Sequence, residues 1–147
     1  MEAGVRSIEH GNLPDEPTAK LMGERGTFLV ATLVTYEKLH HEGARHGVPK
    51  GSLDKLARTV DAGLESPTMA ANAGVRIPSG SDLFGPMHRY QGEEIGIKAR
   101  PLGAMEAIIA ATGTNAEVLG LEQEIGLAAK ESRDLDHVAD FRRRPNL

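Results

Sequence analysis

The distribution of apolar residues along the chain predicts strands separated by helices. Residues 27–34 form a continuous apolar run rich in β-branched side chains. Such a run is typical of a strand that is buried on both faces of a parallel sheet. Residues 5–10 alternate apolar and polar imperfectly, and Gly11 and Asn12 then break the pattern. They predict a short strand that ends at His10.

A third strand is predicted over residues 75–82, running into a turn of small residues that ends at Asp82. Pro78 restricts this segment to a strand end or a sheet edge, because proline cannot donate a ladder hydrogen bond. A loop that contains glycine and proline follows, over residues 83–89. The chain thus offers three strand segments.

A helix is predicted between the first two strands. Acidic residues and Pro17 suit its first turn, and Gly26 suits its end. Leu21 and Met22 would face the core. After the second strand, residues 36–46 are polar and predict another helix.

A longer amphipathic helix is predicted after Ser52, which suits the N-cap position. Pro67 is expected to interrupt or kink it. The apolar residues that share one of its faces are Leu53, Leu56, Ala57, Val60 and Leu64.

Helices are also predicted after the third strand, over residues 91–99, from Ala104 onwards, and over residues 115–119. Pro101 separates the first two. The residues expected to form the core-facing side of the middle helix are Met105, Ile108, Ile109 and Thr112.

This order of elements is typical of a parallel sheet covered by helices, which is the α/β class. Three strands are too few for a closed (β/α)8 barrel, which usually takes about 250 residues. The chain is therefore predicted to be a partial (β/α)8 barrel, roughly its last three strands with their helices. A small open α/β sheet is the structural alternative.

Composition narrows the classes of partner. The net charge of −4 and the pI near 5.9 argue against nucleic acid and anionic membranes as partners. The chain contains no cysteine, which excludes disulfide frameworks, thiol catalysis and cysteine-based zinc sites. There is no apolar run long enough to cross a bilayer, and a cytoplasmic location is expected.

Two residues at predicted strand ends could carry chemistry. A hydrolytic metal site needs imidazole and carboxylate ligands from different elements, with one position left open for water. His10 and Asp82 both lie at the carboxyl ends of predicted strands, where α/β active sites assemble. The alternative is structural, because a strand-end histidine is often a hydrogen-bonded structural residue and a strand-end aspartate often caps a helix or forms a turn.

The sequence around these two residues resembles the amidohydrolase superfamily. Residues 7–11, Ser-Ile-Glu-His-Gly, are similar to the end of the sixth barrel strand of imidazolonepropionase-like and prolidase-like (Xaa-Pro dipeptidase-like) members. Residues 79–82, Ser-Gly-Ser-Asp, are similar to the turn after their eighth strand. The resemblance implies that His10 and Asp82 bind a divalent metal, most commonly zinc, and that Asp82 is the catalytic proton shuttle.

Further matches extend the resemblance over about residues 3 to 127. They include the Ala-Thr, Asn-Ala and Leu-Gly pairs of a family helix pair, found here at residues 111–112, 115–116 and 119–120. The family's His-x-His strand, its bridging lysine or acidic ligand and its fifth-strand histidine have no counterpart in the sequence, and we expect them upstream of Met1. Because catalytic zinc ordinarily has three protein ligands, weak or absent turnover is predicted for the isolated chain.

The last residues depart from the family pattern. Relatives continue with an apolar strand, whereas residues 128–147 are largely polar and contain three consecutive arginines at residues 142–144. A frameshift or truncation would produce such a tail. We therefore divide the chain into a barrel-related part, residues 1–127, and an irregular, disordered tail, residues 128–147.

Three more residues are candidates for substrate binding. His88 and Arg89 lie in the loop after Asp82, where the loops of barrel enzymes contact substrate. Tyr36 follows the buried strand, where it could either pack at the edge of the core or place its hydroxyl at the mouth of the site.

The resemblance implies part of a metal-dependent hydrolase that acts on amide or related C–N bonds of a dipeptide, an N-acyl amino acid or a cyclic amide. The alternative is a non-catalytic α/β interaction domain, or one half of a split barrel. An N-terminal complementing chain or a second copy of this chain would then be the partner, since an exposed sheet edge invites strand pairing.

Overall fold

The computed structural model describes residues 4–126. The predicted disorder of residues 128–147 concerns a segment outside the described residues. The described part is a helix-rich α/β fold.

Two short parallel strands form the sheet, β1 (Ser7–His10) and β2 (Phe28–Ala31). They pair in register from Ser7 opposite Phe28 to His10 opposite Ala31. Both predicted strands are confirmed, and β1 ends at His10 as expected. Because the strands are parallel, their carboxyl ends lie at the same edge of the sheet.

The third predicted strand is reduced to a bridge. Ala31 and Ser79 form one isolated parallel bridge, and the Leu29 amide donates to the Arg76 carbonyl at 3.1 Å. The Phe28 amide donates to the Arg6 carbonyl, on the β1 side. Successive amides of a strand point to opposite edges, so the segment that contains Arg76 and Ser79 lies along the other edge of β2, away from β1. Pro78 lacks the N–H that a longer ladder would need.

The second strand is shorter than its apolar sequence predicts. It ends at Ala31, and α2 (Leu33–Glu42) begins within the predicted strand. The carboxylate of Glu94 accepts a hydrogen bond of 2.7 Å from the Val34 amide and so satisfies a free donor at the start of α2. A contact between residues far apart in the sequence overrides local β propensity here.

The first helix, α1 (Glu16–Arg25), is confirmed together with its boundaries. Asp15 is the N-cap and accepts a hydrogen bond of 2.9 Å from the Thr18 amide. Gly26 ends the helix in the left-handed conformation, with φ of 64°.

A 3-10 turn, Gly43–His46, follows α2 and leads to the long helix α3 (Lys50–Asn72). Of the two effects predicted for Pro67, interruption of the helix is wrong, because α3 continues past it to Asn72, and the kink stays a prediction. The side chain of Pro67 is fully buried. Burial of its apolar ring offsets the loss of one helical hydrogen bond.

The predicted loop after Asp82 contains a 3-10 helix, Gly85–Tyr90. The three helices predicted beyond it are confirmed as α4 (Glu93–Leu102), α5 (Ala104–Ala111) and α6 (Gly113–Leu119). Among the helices of residues 4–126, none is both long and apolar enough to cross a membrane.

The core lies where helices pack on the sheet. Its buried members include Met22, Leu29, Val34, Ala70, Val75, Ile77, Met87 and Ile97. The predicted core side of α5 is wrong: Met105, Ile108 and Ile109 are 67%, 50% and 41% exposed, and α5 packs through Ala107 and Ala110 instead.

Candidate metal-binding site

His10 and Asp82 lie side by side at the carboxyl edge of the sheet. The Nδ1 atom of His10 is 3.8 Å from an Asp82 carboxylate oxygen. Both residues adopt left-handed backbone conformations, with φ of 68° and 47° respectively. Residues other than glycine rarely adopt positive φ, and such strain concentrates at functional sites. These two backbone turns bring the imidazole and the carboxylate of separate segments together.

Two buried threonines hold the pair. The hydroxyl of Thr32 is hydrogen-bonded to His10 Nδ1 at 3.0 Å. The hydroxyl of Thr35 donates to the main-chain carbonyl of Asp82, also at 3.0 Å. Sequence reasoning missed both threonines, because it placed them inside or just after a strand. The available signal was a pair of hydroxyl residues at the carboxyl end of an apolar run.

Tyr36 is the predicted substrate-binding residue that lies at this cluster. Its ring meets the His10 ring edge-on, with 6.4 Å between the centroids. Burial raises the pKa of the Tyr36 hydroxyl, and the negative charge of Asp82 raises it further. Tyr36 therefore keeps its proton and can donate a hydrogen bond.

His88 and Arg89 make their hydrogen bonds elsewhere. Arg89 donates to the Tyr90 hydroxyl at 2.7 Å and lies 3.4 Å from a carboxylate oxygen of Glu42. The hydrogen bond to Tyr90 raises the pKa of Arg89. His88 Nδ1 is 3.1 Å from the side-chain amide nitrogen of Gln91. Their role in substrate binding stays a prediction.

The donor set is suited to part of a metal site. Imidazole nitrogen and carboxylate oxygen are both ordinary zinc ligands, and the side chains of His10 and Asp82 are 46% and 62% exposed, so an ion could reach them. Within residues 4–126, no group of three or more His, Asp or Glu side chains is placed to hold a metal. The described residues therefore supply two donors.

A buried ion pair on α4 binds backbone groups of the segments that lead to the cluster. Glu94 and Lys98, one turn apart on α4, are 2% and 0% exposed, and their charged atoms are 3.3 Å apart. Burial raises the pKa of Glu94 and lowers that of Lys98, and the opposite charge of each partner counteracts these shifts. No feature of the local sequence pattern indicated that these two charged residues would be buried.

A groove lined by helix surfaces lies away from this cluster. It has a volume of about 930 Å³ and lies between α1, α3 and the end of α4. Its lining includes Ala19, Leu64, Met69 and Pro101, but neither His10 nor Asp82. The cluster itself is open at the sheet edge, as its exposure shows.

Comparison with solved structures gives relatives of high similarity. A prolidase in complex with N-methylphosphonate-L-proline is 46% identical, with a TM-score of 0.85 over 89% of this chain and 32% of its own. A Xaa-Pro dipeptidase with bound methionine is 28% identical, with a TM-score of 0.76 over 89% of this chain and 33% of its own. The resemblance to the amidohydrolases is confirmed.

The amidohydrolase-like chain also matches a curated enzyme. Ochratoxinase from Aspergillus niger is 28% identical over 139 residues, which are 95% of this chain and 29% of the enzyme. No family model matches. The chain thus spans about a third of the length of the relatives that it matches.

Proposed function

We propose that this chain forms part of a metal-dependent hydrolase that acts on amide or related C–N bonds, with His10 and Asp82 as two of the metal ligands. The observation that carries the proposal is the contact between the two side chains at 3.8 Å, although they are 72 positions apart in the sequence. The similarity to a prolidase, a Xaa-Pro dipeptidase and ochratoxinase supports the reaction class.

The proposal includes the architecture of the site. β1, β2 and the segment bridged at Ser79 would be three neighbouring parallel strands of a (β/α)8 barrel. Active sites of such barrels lie at the carboxyl ends of the strands, where His10 and Asp82 are found. The parallel pairing and the strand order β1, β2, third segment support this assignment.

Zinc or another divalent metal held by His10 and Asp82 would polarise the scissile carbonyl and lower the pKa of a water molecule. The Asp82 carboxylate would serve as the group that accepts a proton from the attacking water and gives it to the leaving amine. Thr32 fixes the plane of the His10 ring, and Thr35 fixes the backbone of Asp82. Tyr36 can donate a hydrogen bond to a substrate oxygen beside His10.

Two donors are fewer than a hydrolytic metal centre uses. Catalytic zinc ordinarily has three protein ligands and one open position. We therefore propose that residues 1–147 alone bind metal weakly and turn over substrate slowly or not at all. The remaining ligands would come from residues outside this sequence, in the same polypeptide or in a complementing chain.

The proposed substrates are small molecules with an amide bond, such as a dipeptide, an N-acyl amino acid or a cyclic amide. The prolidase relative holds a proline derivative and the dipeptidase relative holds methionine. Both ligands carry an amino acid group, which supports dipeptides as the first substrates to test. His88 and Arg89 are proposed to contact the substrate from the loop after Asp82.

A graft tests the proposal. The matching third of the prolidase relative is replaced by residues 4–126 of this chain, and hydrolysis of Xaa-Pro dipeptides is measured with zinc supplied. We expect hydrolysis that a chelator abolishes and that Asp82→Asn or His10→Asn lowers at least about 100-fold. The matched controls, Asp61→Asn and His40→Asn, should leave the rate unchanged. A folded graft whose rate is insensitive to both ligand substitutions would refute the proposal.

The isolated chain tests the ligand count. Metal content and dipeptide hydrolysis are measured on purified residues 1–147. Stoichiometric zinc together with chelator-sensitive turnover by this chain alone would contradict the proposed weak activity.

A second candidate function is that of an interaction domain or one half of a split barrel. Apolar side chains are exposed on α5 and at the end of α6, where Leu119 is 66% exposed, and Val5 is 43% exposed beside β1. A stable complex with a second copy or with a separate N-terminal chain would bury them. Light scattering on the purified chain distinguishes a monomer from a dimer, and a monomer would remove the homo-oligomer from consideration.

A further inference from the structure

The ammonium group of Lys98 binds the end of β2 and the segment bridged at Ser79. Its Nζ atom donates to the carbonyl of Ala31 at 3.1 Å and to the carbonyl of Pro78 at 2.9 Å. Its third contact is with the Glu94 carboxylate at 3.3 Å. The ammonium group thus makes two hydrogen bonds to main-chain carbonyls and one ion pair, although the side chain is completely buried.

The two carbonyls that Lys98 binds belong to residues close in sequence to the candidate metal site. Ala31 is followed by Thr32, whose hydroxyl contacts His10. Pro78 lies four positions before Asp82, next to the bridge at Ser79. Fixing both carbonyls with one rigidly buried group fixes the distance between the two segments from which the site is built.

Glu94 extends the same link to the start of α2. Its Oε2 atom accepts from the Val34 amide at 2.7 Å. The next residue is Thr35, whose hydroxyl donates to the Asp82 carbonyl. Each of the two threonines that hold the site therefore adjoins a backbone group bound by the buried pair.

Stability alone does not account for burying these charges. Removing two charges from water costs several kcal/mol per ion, and well-packed apolar residues of similar volume often stabilise a protein as well or better. The pair is instead suited to holding backbone groups in one arrangement, which apolar side chains cannot do.

We infer that Glu94 and Lys98 are positioning residues, which set the mutual geometry of His10 and Asp82 through Ala31, Pro78 and Val34. Neither residue touches the site itself. A metal site tolerates misplacement of its ligands by only about 0.5 Å, so loosening the two segments weakens it. The inference rests on the proposed function where it concerns metal binding, but the placement of His10 can be measured without metal.

The test compares Lys98→Met/Glu94→Gln with two controls. The double variant keeps the side-chain volumes and removes both charges. Lys50→Met/Asp54→Asn removes another lysine–carboxylate pair with the same spacing, but on the surface of α3, where the side chains are 87% and 64% exposed. Ala107→Gly lowers stability at a buried position of α5 without touching the sheet.

The first measurement is the pair of ¹⁵N chemical shifts of the His10 ring, taken at a pH where the ring is neutral. In the parent, the contact with Thr32 predicts one predominant tautomer. In Lys98→Met/Glu94→Gln, the difference between the two shifts should fall to less than half. Both controls should keep the parent value. Three results would each overturn the inference. They are a change in Ala107→Gly as large as that in the double variant, no change in the double variant, and an evenly mixed tautomer in the parent.

Glu94→Gln alone decides the outcome if the double variant does not fold. It keeps an oxygen acceptor for the Val34 amide, whereas the oxygen that faces Lys98 becomes an uncharged NH2 group, so a smaller change in the same direction is expected. An unchanged His10 spectrum in this variant overturns the inference.

Zinc affinity is the second measurement. We expect the double variant to bind zinc at least about tenfold more weakly than the parent, as is typical when groups that orient ligands are lost. A parent that binds no zinc argues against the proposed function, whereas the tautomer result still decides the positioning role.

Discussion

At the scale of single residues, His10 and Asp82 stand out by their backbone as much as by their side chains. They are the residues other than glycine that adopt positive φ within residues 4–126. An L-residue in this conformation costs roughly 1–2 kcal/mol, because Cβ approaches the neighbouring carbonyl. Both residues that the sequence resemblance implies as ligands therefore carry strain that the rest of the fold must offset.

Asp82→Gly and Asp82→Ala measure this strain at one position. Both remove the carboxylate, but only the alanine variant keeps Cβ in the left-handed region. We expect the glycine variant to have a free energy of unfolding higher by about 1 kcal/mol, measured by urea denaturation. At Asp61 on α3 the same two variants should differ in the opposite direction by about 1 kcal/mol, since glycine weakens a helix. An alanine variant as stable as the glycine variant at position 82 would contradict the strained conformation.

The resemblance predicted the identity of the two residues, but not how they are held. The hydroxyls of Thr32 and Thr35 act on residues that lie 22 and 47 positions away. No periodic pattern links positions so far apart, and apolar neighbours made both threonines look like strand residues. Tyr36, predicted to lie either at the edge of the core or at the mouth of the site, has its ring beside that of His10, whereas the contacts of Arg89 run to Glu42 and Tyr90.

At the scale of elements, the presence of the helices was predicted better than the strand lengths, but α3 begins at Lys50, before the predicted cap Ser52. α1 has an aspartate cap and a glycine end that are local signals, so its limits could be read from the sequence. β2 is only four residues long, because Glu94, from a distant helix, accepts from the Val34 amide at the start of α2. The segment around Ser79 forms one bridge, since Pro78 offers no donor.

The apolar face of α5 shows the limit of helical periodicity. Periodicity places apolar residues on a common side, but it does not say whether anything packs there. Ile108 is 50% exposed, whereas Ile97, on α4, is 3% exposed.

These two isoleucines give a matched test. Ile97→Ala should lower the free energy of unfolding by about 2–5 kcal/mol, because it removes buried methyl groups and leaves a cavity. Ile108→Ala should change it by less than about 0.5 kcal/mol in the isolated chain, as surface substitutions usually do. Urea denaturation of both variants measures the difference. A loss at Ile108 as large as that at Ile97 would mean that the α5 face is buried in solution, as it would be in an oligomer.

At the scale of the whole described part, one buried ion pair joins α4 to three other segments of the fold. Through Lys98 and Glu94, α4 contacts the end of β2, the start of α2 and the segment that precedes Asp82. A sequence pattern predicts a lysine and a glutamate one turn apart as an exposed pair. The packing of α4 against the sheet buries the pair and brings it to these backbone groups. The sequence pattern of α4 alone therefore did not predict that Glu94 and Lys98 are buried.

Lys98→Met gives a stability that depends on pH in a defined direction. It leaves the Glu94 carboxylate buried without its counter-charge, so the variant should lose about 3–5 kcal/mol of unfolding free energy near pH 7. Burial already raises the folded-state pKa of Glu94 above its ordinary value of 4.5, and losing Lys98 removes an interaction that lowers it. The folded variant then binds a proton at pH values where the unfolded chain is ionised.

The sign of the pH effect follows from proton linkage. Since the folded state binds more protons than the unfolded state above the ordinary pKa of Glu94, stability falls as the pH rises through this range and recovers as the pH falls. Urea denaturation of Lys98→Met should therefore show a deficit that shrinks from about pH 7 to about pH 5. Lys98→Met/Glu94→Gln has no carboxylate to titrate at this position, so its own free energy of unfolding should change less over that interval than that of Lys98→Met. A deficit in Lys98→Met that stays the same at every pH would mean that Glu94 remains solvated and does not form the connection between α4 and the sheet.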